Sequence, residues 1–259
     1  MKVTGNTILI TGGGSGIGRG LAEAFHKLGN KVIIAGRRKD VLDQTASANP
    51  GMSSISLDID DPAAILAFAK KIVAEHPELN VLINNSGIMR FEDLVNHPED
   101  LSVPEAVITT NLLGPIRLTS ALLPHLMKQS HPAIMNVSSG LAFAPMAFAP
   151  VYSATKAAIH SWTESLRYQL ARTGTQVIEL APPYVQTELL GAEQANNPMA
   201  MPLKDFIAET MQILETQPEV AEVIVENVKQ QRFAAEGGTA GYNAFFKGYN
   251  DAIAAMMSA

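Results

Sequence analysis

Tyr152 and Lys156 form the residue pair with the clearest chemical potential in this sequence. They stand four positions apart in residues 152–172, where the residue pattern predicts a helix, so their side chains share one face. A free tyrosine has a pKa near 10, and lowering it to about 7 takes roughly 4 kcal/mol, which a nearby cation can supply. The pair therefore predicts a tyrosine that exchanges a proton with a substrate, although a lone Tyr-x-x-x-Lys is more often a solvated pair.

Two serines, Ser138 and Ser139, follow a predicted buried strand at residues 133–137. In open parallel sheets, ligands bind at the carboxyl ends of the strands. A serine hydroxyl at that place can donate a hydrogen bond to a substrate oxygen and stabilise developing charge. The alternative is an ordinary turn at a strand end.

A glycine-rich loop, Thr11-Gly12-Gly13-Gly14-Ser15-Gly16-Ile17-Gly18, joins a predicted strand at residues 6–11 to a predicted helix at residues 16–28. Glycine allows the chain to turn sharply and approach a phosphate, and the helix N-terminus then binds it. The spacing fits T-G-x-x-x-G-x-G and not G-x-G-x-x-G. Because methyltransferases also carry a glycine-rich turn, the loop alone leaves that class open.

The elements that position these residues alternate along the chain. Predicted strands at residues 6–11, 31–35, 53–57, 81–84, 133–137 and 176–180 alternate with predicted helices at residues 16–28, 39–46, 62–75 and 152–172. Residues 104–128 form a long helical region broken near Gly114-Pro115, and residues 232–235 are the only later strand candidate. This order predicts one α/β domain over residues 1–259, a doubly wound parallel sheet with helices on both faces.

Composition excludes several kinds of function. The chain has no cysteine, which removes disulfides, thiolate metal sites and cysteine nucleophiles, and no metal site is predicted. Its formal net charge of −6 is not that of a nucleic-acid-binding protein. Neither an export signal nor a continuous apolar stretch of membrane-spanning length is visible. We therefore expect a cytoplasmic protein with no nucleic-acid or membrane partner.

Taken in order, the motifs resemble those of the short-chain dehydrogenase/reductase family. The glycine loop is followed by Asn84-Asn85-Ser86-Gly87, Asn111, Ser139, Tyr152-x-x-x-Lys156 and Pro182-Pro183, along nearly the whole chain. Serine replaces the family's alanine at Ser86, and proline replaces its glycine at Pro183. More loosely, the chain is similar to the bacterial subgroup named after the D-alanine–teichoic acid genes.

The resemblance implies a Rossmann-like fold, an oxidoreductase acting on a ketone or secondary alcohol, and a homodimer or homotetramer. It implies that Asn111 holds a proton-relaying water, that Lys156 also holds the nicotinamide ribose, and that Ser139, thirteen residues before Tyr152, is favoured over Ser138. The catalytic residues would be Asn111, Ser139, Tyr152 and Lys156. The cofactor-binding residues would be Gly12, Ser15, Gly16, Ile17, Gly18, Arg37, Arg38, Asp58, Ile59, Asn85, Gly87, Tyr152, Lys156, Pro182 and Thr187.

The end of the second strand bears on the choice of cofactor. An NAD enzyme usually carries an acidic residue there for the ribose 2′-hydroxyl. This chain has Gly36-Arg37-Arg38 and no carboxylate until Asp40. Two guanidinium groups can hold a 2′-phosphate, which predicts NADP with NAD possible. The alternative is a pair of solvated arginines at the start of a helix.

Apolar residues near the catalytic motifs suggest the substrate. The candidate pocket residues are Ile88, Met89, Leu141, Phe143, Met146, Phe148 and Tyr184, and a lid is expected at about residues 189–215. No arginine or lysine is among them, so we expect a neutral, fairly hydrophobic ketone or alcohol. The alternative is that Phe143, Met146 and Phe148 pack only against the lid or a subunit.

The C-terminal segment, about residues 236–259, is expected to dock on the protein or on a neighbouring subunit. Tyr242, Phe245, Phe246 and Tyr249 are spaced i, i+3, i+4 and i+7, which places them on one helix face. Exposed together they would form a sticky patch.

Two further classes stay open at this stage. A short-chain fold that only senses a nucleotide would need no catalytic residues, and a methyltransferase would not need the tyrosine and lysine. An NAD-preferring dehydrogenase is the alternative within the enzyme class.

Overall fold

The computed structural model describes residues 1–96 and 101–257. Its centre is one parallel sheet, whose strands in the described chain are β1 (Thr7–Thr11), β2 (Lys31–Gly36), β3 (Ser53–Ser56), β4 (Val81–Asn84), β5 (Ala133–Val137), β6 (Gln176–Leu180) and β7 (Glu222–Val223). The helices are α1 (Gly16–Lys27), α2 (Lys39–Ala48), α3 (Pro62–Glu75), α4 (Ser102–Ile108), α5 (Gly114–Leu126), α6 (Pro150–Leu170), α7 (Leu203–Thr216), α8 (Lys229–Arg232) and α9 (Gly238–Met257).

The sheet is doubly wound. The strand order is β3-β2-β1-β4-β5-β6-β7, so the direction of winding reverses between β1 and β4. Alternate residues of a strand point to opposite faces, and both faces here are apolar and covered by helices. Ile8 and Ile10 pack in the layer that contains α1 and α7, whereas Leu9 packs in the layer that contains α3 and α5. The predicted Rossmann-like α/β class is confirmed.

The seventh strand is not where the sequence suggested. Residues 232–235 are not a strand: Arg232 ends α8, and a 3-10 turn at Ala234–Gly237 follows. The edge strand is instead the two-residue β7, which pairs with β6 in parallel. Arg232 binds Glu222 of that strand with N–O distances of 2.6 and 3.1 Å. The side chain of Arg232 thus packs against the sheet edge without its backbone joining the sheet.

The predicted helical region at 104–128 is interrupted directly before Gly114, close to the predicted break near Gly114-Pro115. Between α4 and α5 the chain forms one π-helical turn, Thr109–Leu113, and α5 begins at Gly114. A Cβ on Gly114 would stand 2.6 Å from the Ile59 side chain. Gly114 is therefore a close-packing position, and the irregularity comes from the wide turn before it.

The same stretch, Ser102–Leu126, is the one among the described residues that is long and apolar enough to cross a membrane by length and composition. Leu118, Leu122 and Leu126 are fully buried in the apolar layer beneath the sheet. It is the core helix of this fold.

The predicted lid at about residues 189–215 divides into two parts. Phe206 and Leu214 of α7 are fully buried in the core, and Ile207 lies where a Cβ on Gly20 of α1 would meet it at 2.7 Å. Residues 203–216 are therefore part of the folded body and not of a lid. The irregular chain before α7 remains as the candidate cover of the cavity. A β-bridge between Val185 and Met201 joins the two ends of this segment.

The C-terminal segment forms α9, and Asn250, which is not part of the predicted aromatic face, joins it to the loop before α6. Asn250 is buried, and its side chain accepts from the Ala147 amide at 2.7 Å and donates to the Pro145 carbonyl at 3.1 Å. Ile253 is buried one turn later. Of the predicted aromatic face, Tyr249 packs inward. Tyr242 stacks on Phe246 and Phe245 stacks on Tyr249, and both Tyr242 and Phe245 remain partly exposed. Residues 258–259 of the segment lie outside the described residues.

Candidate functional site

One large cavity opens at the carboxyl edge of the sheet. Its volume is about 780 Å³, which is within the range of small-molecule and cofactor sites. It runs from the glycine loop past β4 and β5 to α6. The predicted site residues on its wall are Gly12, Ser15, Gly16, Ile17, Arg37, Arg38, Ile59, Asn85, Gly87, Ile88, Met89, Ser139, Leu141, Met146, Tyr152, Lys156, Pro182, Tyr184 and Thr187.

The glycine loop is held against β4 by Thr11, a residue that the sequence analysis did not assign a role. Its hydroxyl accepts from the amides of Asn85 and Ser86 at 3.0 and 3.1 Å, and Asn85 donates to its carbonyl. Gly12 has a positive φ of 67°, and a Cβ there would lie 2.9 Å from the side-chain amide nitrogen of Asn85. The loop therefore keeps an open backbone surface at the start of α1, which fits a pyrophosphate.

Gly18 contributes differently from the other glycines. It is absent from the cavity wall, and a Cβ on it would lie 2.4 Å from the carbonyl oxygen of Gly12. Its role in this structure is to let α1 pack closely on the loop. That role supports the phosphate cradle from behind without direct contact.

Arg37 and Arg38 both reach the cavity, each with a partner. Arg37 forms an ion pair with Asp60 at 2.9 Å, and Asp60 also accepts from Thr110. Arg38 donates to the Ser15 hydroxyl in the glycine loop at 2.9 Å. Arg38 is thus the arginine next to the phosphate cradle, whereas the charge of Arg37 is partly offset. Asp58, by contrast, is exposed, is absent from the cavity wall and accepts from the Asp60 amide.

Tyr152 and Ser139 meet at the far end of the cavity. Tyr152 is buried in the first turn of α6 and is hydrogen-bonded to Ser139, whose hydroxyl also accepts from the Leu141 amide at 3.1 Å. Burial raises the pKa of Tyr152 to about 12, while the hydrogen bond to Ser139 lowers it. The sequence predicted that a cation would bring this pKa toward neutrality. In the structure, burial is the largest cause of the shift and the pKa is raised instead, so the hydroxyl stays protonated at neutral pH.

Ser138 points away from this pair. Its hydroxyl donates to the carboxylate of Glu179 on β6, which is completely buried. Of the two serine candidates, the structure therefore brings Ser139, and not Ser138, to Tyr152.

Lys156 lies one turn after Tyr152 on α6. Its ammonium is 5.6 Å from the centroid of the Tyr152 ring and donates to the Val137 carbonyl at 2.8 Å. Burial lowers the pKa of Lys156 to about 8, and the charge of Glu179 opposes that shift. The ammonium is thus held at the cavity wall between the end of β5 and the tyrosine.

Asn111 is placed by the π-helical turn. Its side chain accepts from the Ile88 amide and donates to the Ile88 carbonyl, both at 2.8 Å, and donates to Thr155 at 3.3 Å. A Cβ on Gly87 would stand 3.3 Å from Asn111 and 3.7 Å from the Lys156 ammonium. Asn111 therefore lies behind the cavity wall, close to Lys156 but not on the wall. π-turns inside helices are frequent at functional sites.

Two predicted substrate residues are misplaced. Phe143 packs edge-on against His160, with ring centroids 4.8 Å apart. The backbone carbonyl of Phe148 accepts a hydrogen bond from the Glu92 amide. Neither is among the cavity-lining residues. Phe143 caps the 3-10 turn at Gly140–Ala142 and faces His160, while Leu141 before it and Met146 after it remain on the cavity wall.

The structure adds wall residues that the sequence analysis missed. Tyr249, Ile253, Met256 and Met257 of α9 line the cavity, and so does Arg90, whose guanidinium donates to the neighbouring Met89 carbonyl at 2.7 Å. The inward spacing of Tyr249, Ile253 and Met256 was visible in the sequence, but nothing in it said what that face would cover. Arg90 corrects the expectation of a pocket without cationic residues.

A sequence profile of the short chain dehydrogenase family matches residues 6–198. The chain therefore belongs to the short-chain dehydrogenase/reductase family, whose members are oxidoreductases that bind NAD(P) and act on CH–OH groups. The uncharacterized oxidoreductase DltE of Bacillus subtilis (strain 168) is 46% identical over 189 residues, or 73% of this chain and 75% of the relative. This agrees with the predicted subgroup.

Two solved structures are similar over nearly the whole fold. A short-chain dehydrogenase from Sphingobium yanoikuyae in complex with NADPH is 27% identical with a TM-score of 0.77, over 92% of this chain and 95% of that one. A 3-ketoacyl-(acyl-carrier-protein) reductase from Brucella melitensis complexed with NADH is 26% identical with a TM-score of 0.75, over 85% and 96%. Since the two nucleotides differ, the likeness supports NAD(P) binding without choosing between them.

The contact between α9 and the loop before α6 gives a test. Asn250→Ala removes the two part-buried hydrogen bonds that join α9 to this loop, worth about 2 kcal/mol together, so we expect the melting temperature to fall by roughly 6 °C. Substrate KM should rise, because Tyr249 and Ile253 lose their support. Asn243→Ala changes an exposed asparagine of the same helix and is the matched control. Calorimetry that finds the two variants equally stable, or a chain ending at Gly241 as stable as the full one, would refute the docking.

Proposed function

We propose that this protein is an NADPH-dependent reductase that converts neutral, fairly hydrophobic ketones to secondary alcohols. The observation that carries the proposal is the geometry of one cavity. Ser139, Tyr152 and Lys156 lie at one end of it, and the glycine loop with Arg37 and Arg38 lies at the other.

The cavity fits a dinucleotide phosphate. Backbone amides at the start of α1 would bind the pyrophosphate, and Arg38 with Arg37 would bind the 2′-phosphate. Lys156 would hold the nicotinamide ribose, as in the family that the chain belongs to. When bound, the nicotinamide supplies the hydride that the reaction transfers.

Three side chains would handle the substrate oxygen. Ser139 donates a hydrogen bond to it and orients the carbonyl, and Tyr152 gives it a proton as charge develops. A pKa of about 12 keeps Tyr152 protonated at neutral pH, which suits a proton donor. The ammonium of Lys156 stabilises the tyrosinate that remains.

The pH dependence of the reduction follows from Lys156. Its pKa is lowered to about 8, so the ammonium is present below that pH and is lost as the pH rises through it. We expect kcat/KM to be level in neutral solution and to fall about tenfold per pH unit above pH 8, since kcat/KM reports the free enzyme. Initial rates of ketone reduction, measured in buffers with overlapping pH ranges, would give this pH profile of kcat/KM. A profile that stays level to about pH 10 would contradict the role of Lys156.

The substrate class is supported by the wall around Tyr152. Met89, Leu141 and Met146 are apolar and pack with Tyr152 in one buried cluster. Among the described wall residues the cations are Arg37, Arg38, Arg90 and Lys156, of which Arg90 alone lies near this cluster without an assigned cofactor contact. Its guanidinium is exposed and bonded to the backbone, so we place it at the mouth. This supports an aryl ketone or β-keto ester over a sugar phosphate or acyl-carrier substrate.

A substrate panel with NADPH, followed by absorbance at 340 nm, tests the proposal. Met146→Ala and Met199→Ala each remove apolar wall surface and should raise KM for an aryl ketone about fivefold, the effect of roughly 1 kcal/mol of lost burial. Met127→Ala makes the same change at the C-terminal cap of α5, away from the cavity, and should leave KM unchanged. A wild-type preference for keto acids that Arg90→Gln abolishes would show that the substrate is anionic.

The remaining alternatives have their own outcomes in that panel. Turnover with NADH alone would indicate an NAD-preferring dehydrogenase. Tight NADPH binding with no turnover of any carbonyl would indicate a nucleotide sensor. We also propose a cytoplasmic homodimer or homotetramer, supported by family membership and by the partly exposed face of α9 at Tyr242 and Phe246. Light scattering that gives the monomer mass would contradict the assembly.

A further inference from the structure

Glu179 is a buried carboxylate that the reaction proposed above does not use. It lies on β6, the strand next to the edge strand β7, and has no exposed surface. Among the residues that the structure describes, the charged side chains that are buried are Glu179 and Lys156. They have opposite charges and lie on neighbouring elements, β6 and α6. Burying a charge is costly unless it is paired and hydrogen-bonded, so such a pair needs an explanation.

Both oxygens of Glu179 are bound. The Ser138 hydroxyl donates to one of them, and Nδ1 of His160 lies 2.7 Å from the other. Ser138 immediately precedes Ser139. His160 lies one turn after Lys156 and two turns after Tyr152 on α6, so the three side chains share one helix face. One carboxylate therefore joins the strand end that carries the serine to the helix that carries the tyrosine and the lysine.

The misplaced aromatic residue completes this cluster. Phe143 packs edge-on against His160, and the guanidinium of Arg232 lies 4.8 Å from the Phe143 ring centroid. Arg232 in turn neutralises Glu222, the direct partner of Glu179 in the β6–β7 ladder. Phe143 and Arg232 thus cover the outer side of the His160–Glu179 pair. This leaves the negative charge of Glu179 directed toward α6.

A metal site is the competing explanation. His160, Glu179 and Glu222 offer ligand atoms that all lie within 4.8 Å of one another. In the structure, however, each of these carboxylates already has its partners: Ser138 and His160 bind Glu179, and Arg232 binds Glu222 through two nitrogens. A guanidinium supplies the positive charge that a metal would bring.

We propose that Glu179 is a positioning residue of the reductase, which fixes Ser139 against Tyr152 through Ser138 and His160 and balances the charge of Lys156. The proposal rests on the proposed function, because positioning presupposes the reaction. Glu179 does not touch substrate or cofactor and acts only through these neighbours. Its effect separates into a geometric part, carried by Ser138, and an electrostatic part, carried by its charge.

The electrostatic part predicts a change in pH dependence. The titratable and charged groups that face Glu179 from the surrounding elements are Lys156, His160, Glu164, Glu222 and Arg232. Glu179→Gln keeps the size of the side chain and removes the charge that raises the pKa of Lys156. The alkaline limb of the kcat/KM profile should therefore move to lower pH, and kcat/KM at pH 8 should fall about tenfold, as for loss of a bond to a charged group.

The geometric part predicts a different signature. Ser138→Ala leaves the charge in place but frees one oxygen of Glu179 and the strand end before Ser139. We expect kcat to fall several-fold with KM for NADPH unchanged and with the alkaline limb in its wild-type position. Glu164→Gln is the matched control, since its carboxylate is exposed and lies 3.7 Å from the other nitrogen of His160. It should leave kcat and the pH profile unchanged.

The deciding measurement does not need turnover. In protein labelled with 13C-lysine, the Lys156 signal, assigned from its absence in Lys156→Arg, gives the pKa of that ammonium directly. A lower value in Glu179→Gln than in wild type supports the electrostatic part of the proposal whether or not a ketone is reduced, so a failure of the proposed function is distinguished from a failure of this coupling. An unchanged value would overturn it. If Glu179→Gln does not fold, Ser138→Ala decides: wild-type kcat in that variant also overturns it. So does stabilisation by Zn²⁺ of the wild type but not of His160→Ala, which would assign the cluster to a metal.

Discussion

A Tyr152→Phe variant should lose ketone reduction by at least about a thousandfold while it still binds NADPH. General acid catalysis typically contributes between a hundredfold and ten-thousandfold, and this substitution removes the only atom that would donate the proton. The ring remains in its buried cluster with Met89 and Leu141, so the wall of the cavity is kept. Ser139 loses its partner on Tyr152 but retains the hydrogen bond from the Leu141 amide. Steady-state kinetics with a fluorescence titration of NADPH would measure both effects.

Tyr168→Phe is the control for this variant. Tyr168 lies on the same helix, α6, and is 86% exposed, so the same hydroxyl is removed without any contact to the cavity. It should behave as wild type in both assays. Near-normal turnover by a folded Tyr152→Phe protein would exclude Tyr152 as the proton donor and with it the proposed chemistry.

Cofactor preference should change most at the two arginines. The wild type should use NADPH with a higher kcat/KM than NADH. Arg38→Ala removes the guanidinium beside Ser15 and should cut that preference by about tenfold or more, the effect of one charge-assisted hydrogen bond. Arg37→Asp should flatten or invert the preference, because a new carboxylate next to Asp60 would repel a 2′-phosphate. Measurements of kcat/KM with both nucleotides would report these changes.

Lys39→Gln separates a specific contact from a general effect of charge. Lys39 follows the two arginines, pairs with Asp43 at the surface and is not on the cavity wall. Its loss should leave the ratio of the two kcat/KM values unchanged. A wild-type preference for NADH, or an equal change in Lys39→Gln, would mean that the arginines are ordinary surface residues.

The parts of the fold that were predictable are those that local sequence determines. Buried runs such as Ile8–Ile10 and Val32–Ala35 are typical of inner strands of a parallel sheet, and the glycines at 12–18 indicate the turn between the first strand and helix. β7 was not predictable, because two residues carry no periodicity and their pairing depends on the Arg232–Glu222 contact. The π-turn is similar: nothing in Thr109–Leu113 requires a wide turn, which tertiary packing selects.

The candidate site divides along the same line. Tyr152 and Lys156 are four residues apart on one helix, so their shared face could be expected, whereas Ser139 was favoured over Ser138 through the family resemblance. Phe143 was misassigned because apolarity marks burial but not the partner, and a single 3-10 turn sent it to His160. The role of Glu179 could not be predicted, because the sequence shows only one glutamate in an apolar strand. Its partners, Ser138 and His160, are brought to it by the fold.

The position of β1 in the middle of the sheet has a consequence for how the chain folds. β1 pairs on one side with β2, which follows it closely, and on the other side with β4, which comes much later in the chain. Ile8 therefore cannot pair with Val81 until β4 has been synthesised. During synthesis, β1, β2 and β3 leave the ribosome before β4. Until β4 follows, the apolar edge of β1 that pairs with it stays unpaired. Distant parallel pairings of this kind slow folding and expose nascent chains to aggregation. Refolding from denaturant should therefore be slow and should depend on protein concentration, and a chain that stops before β4 should need a chaperone to stay in solution.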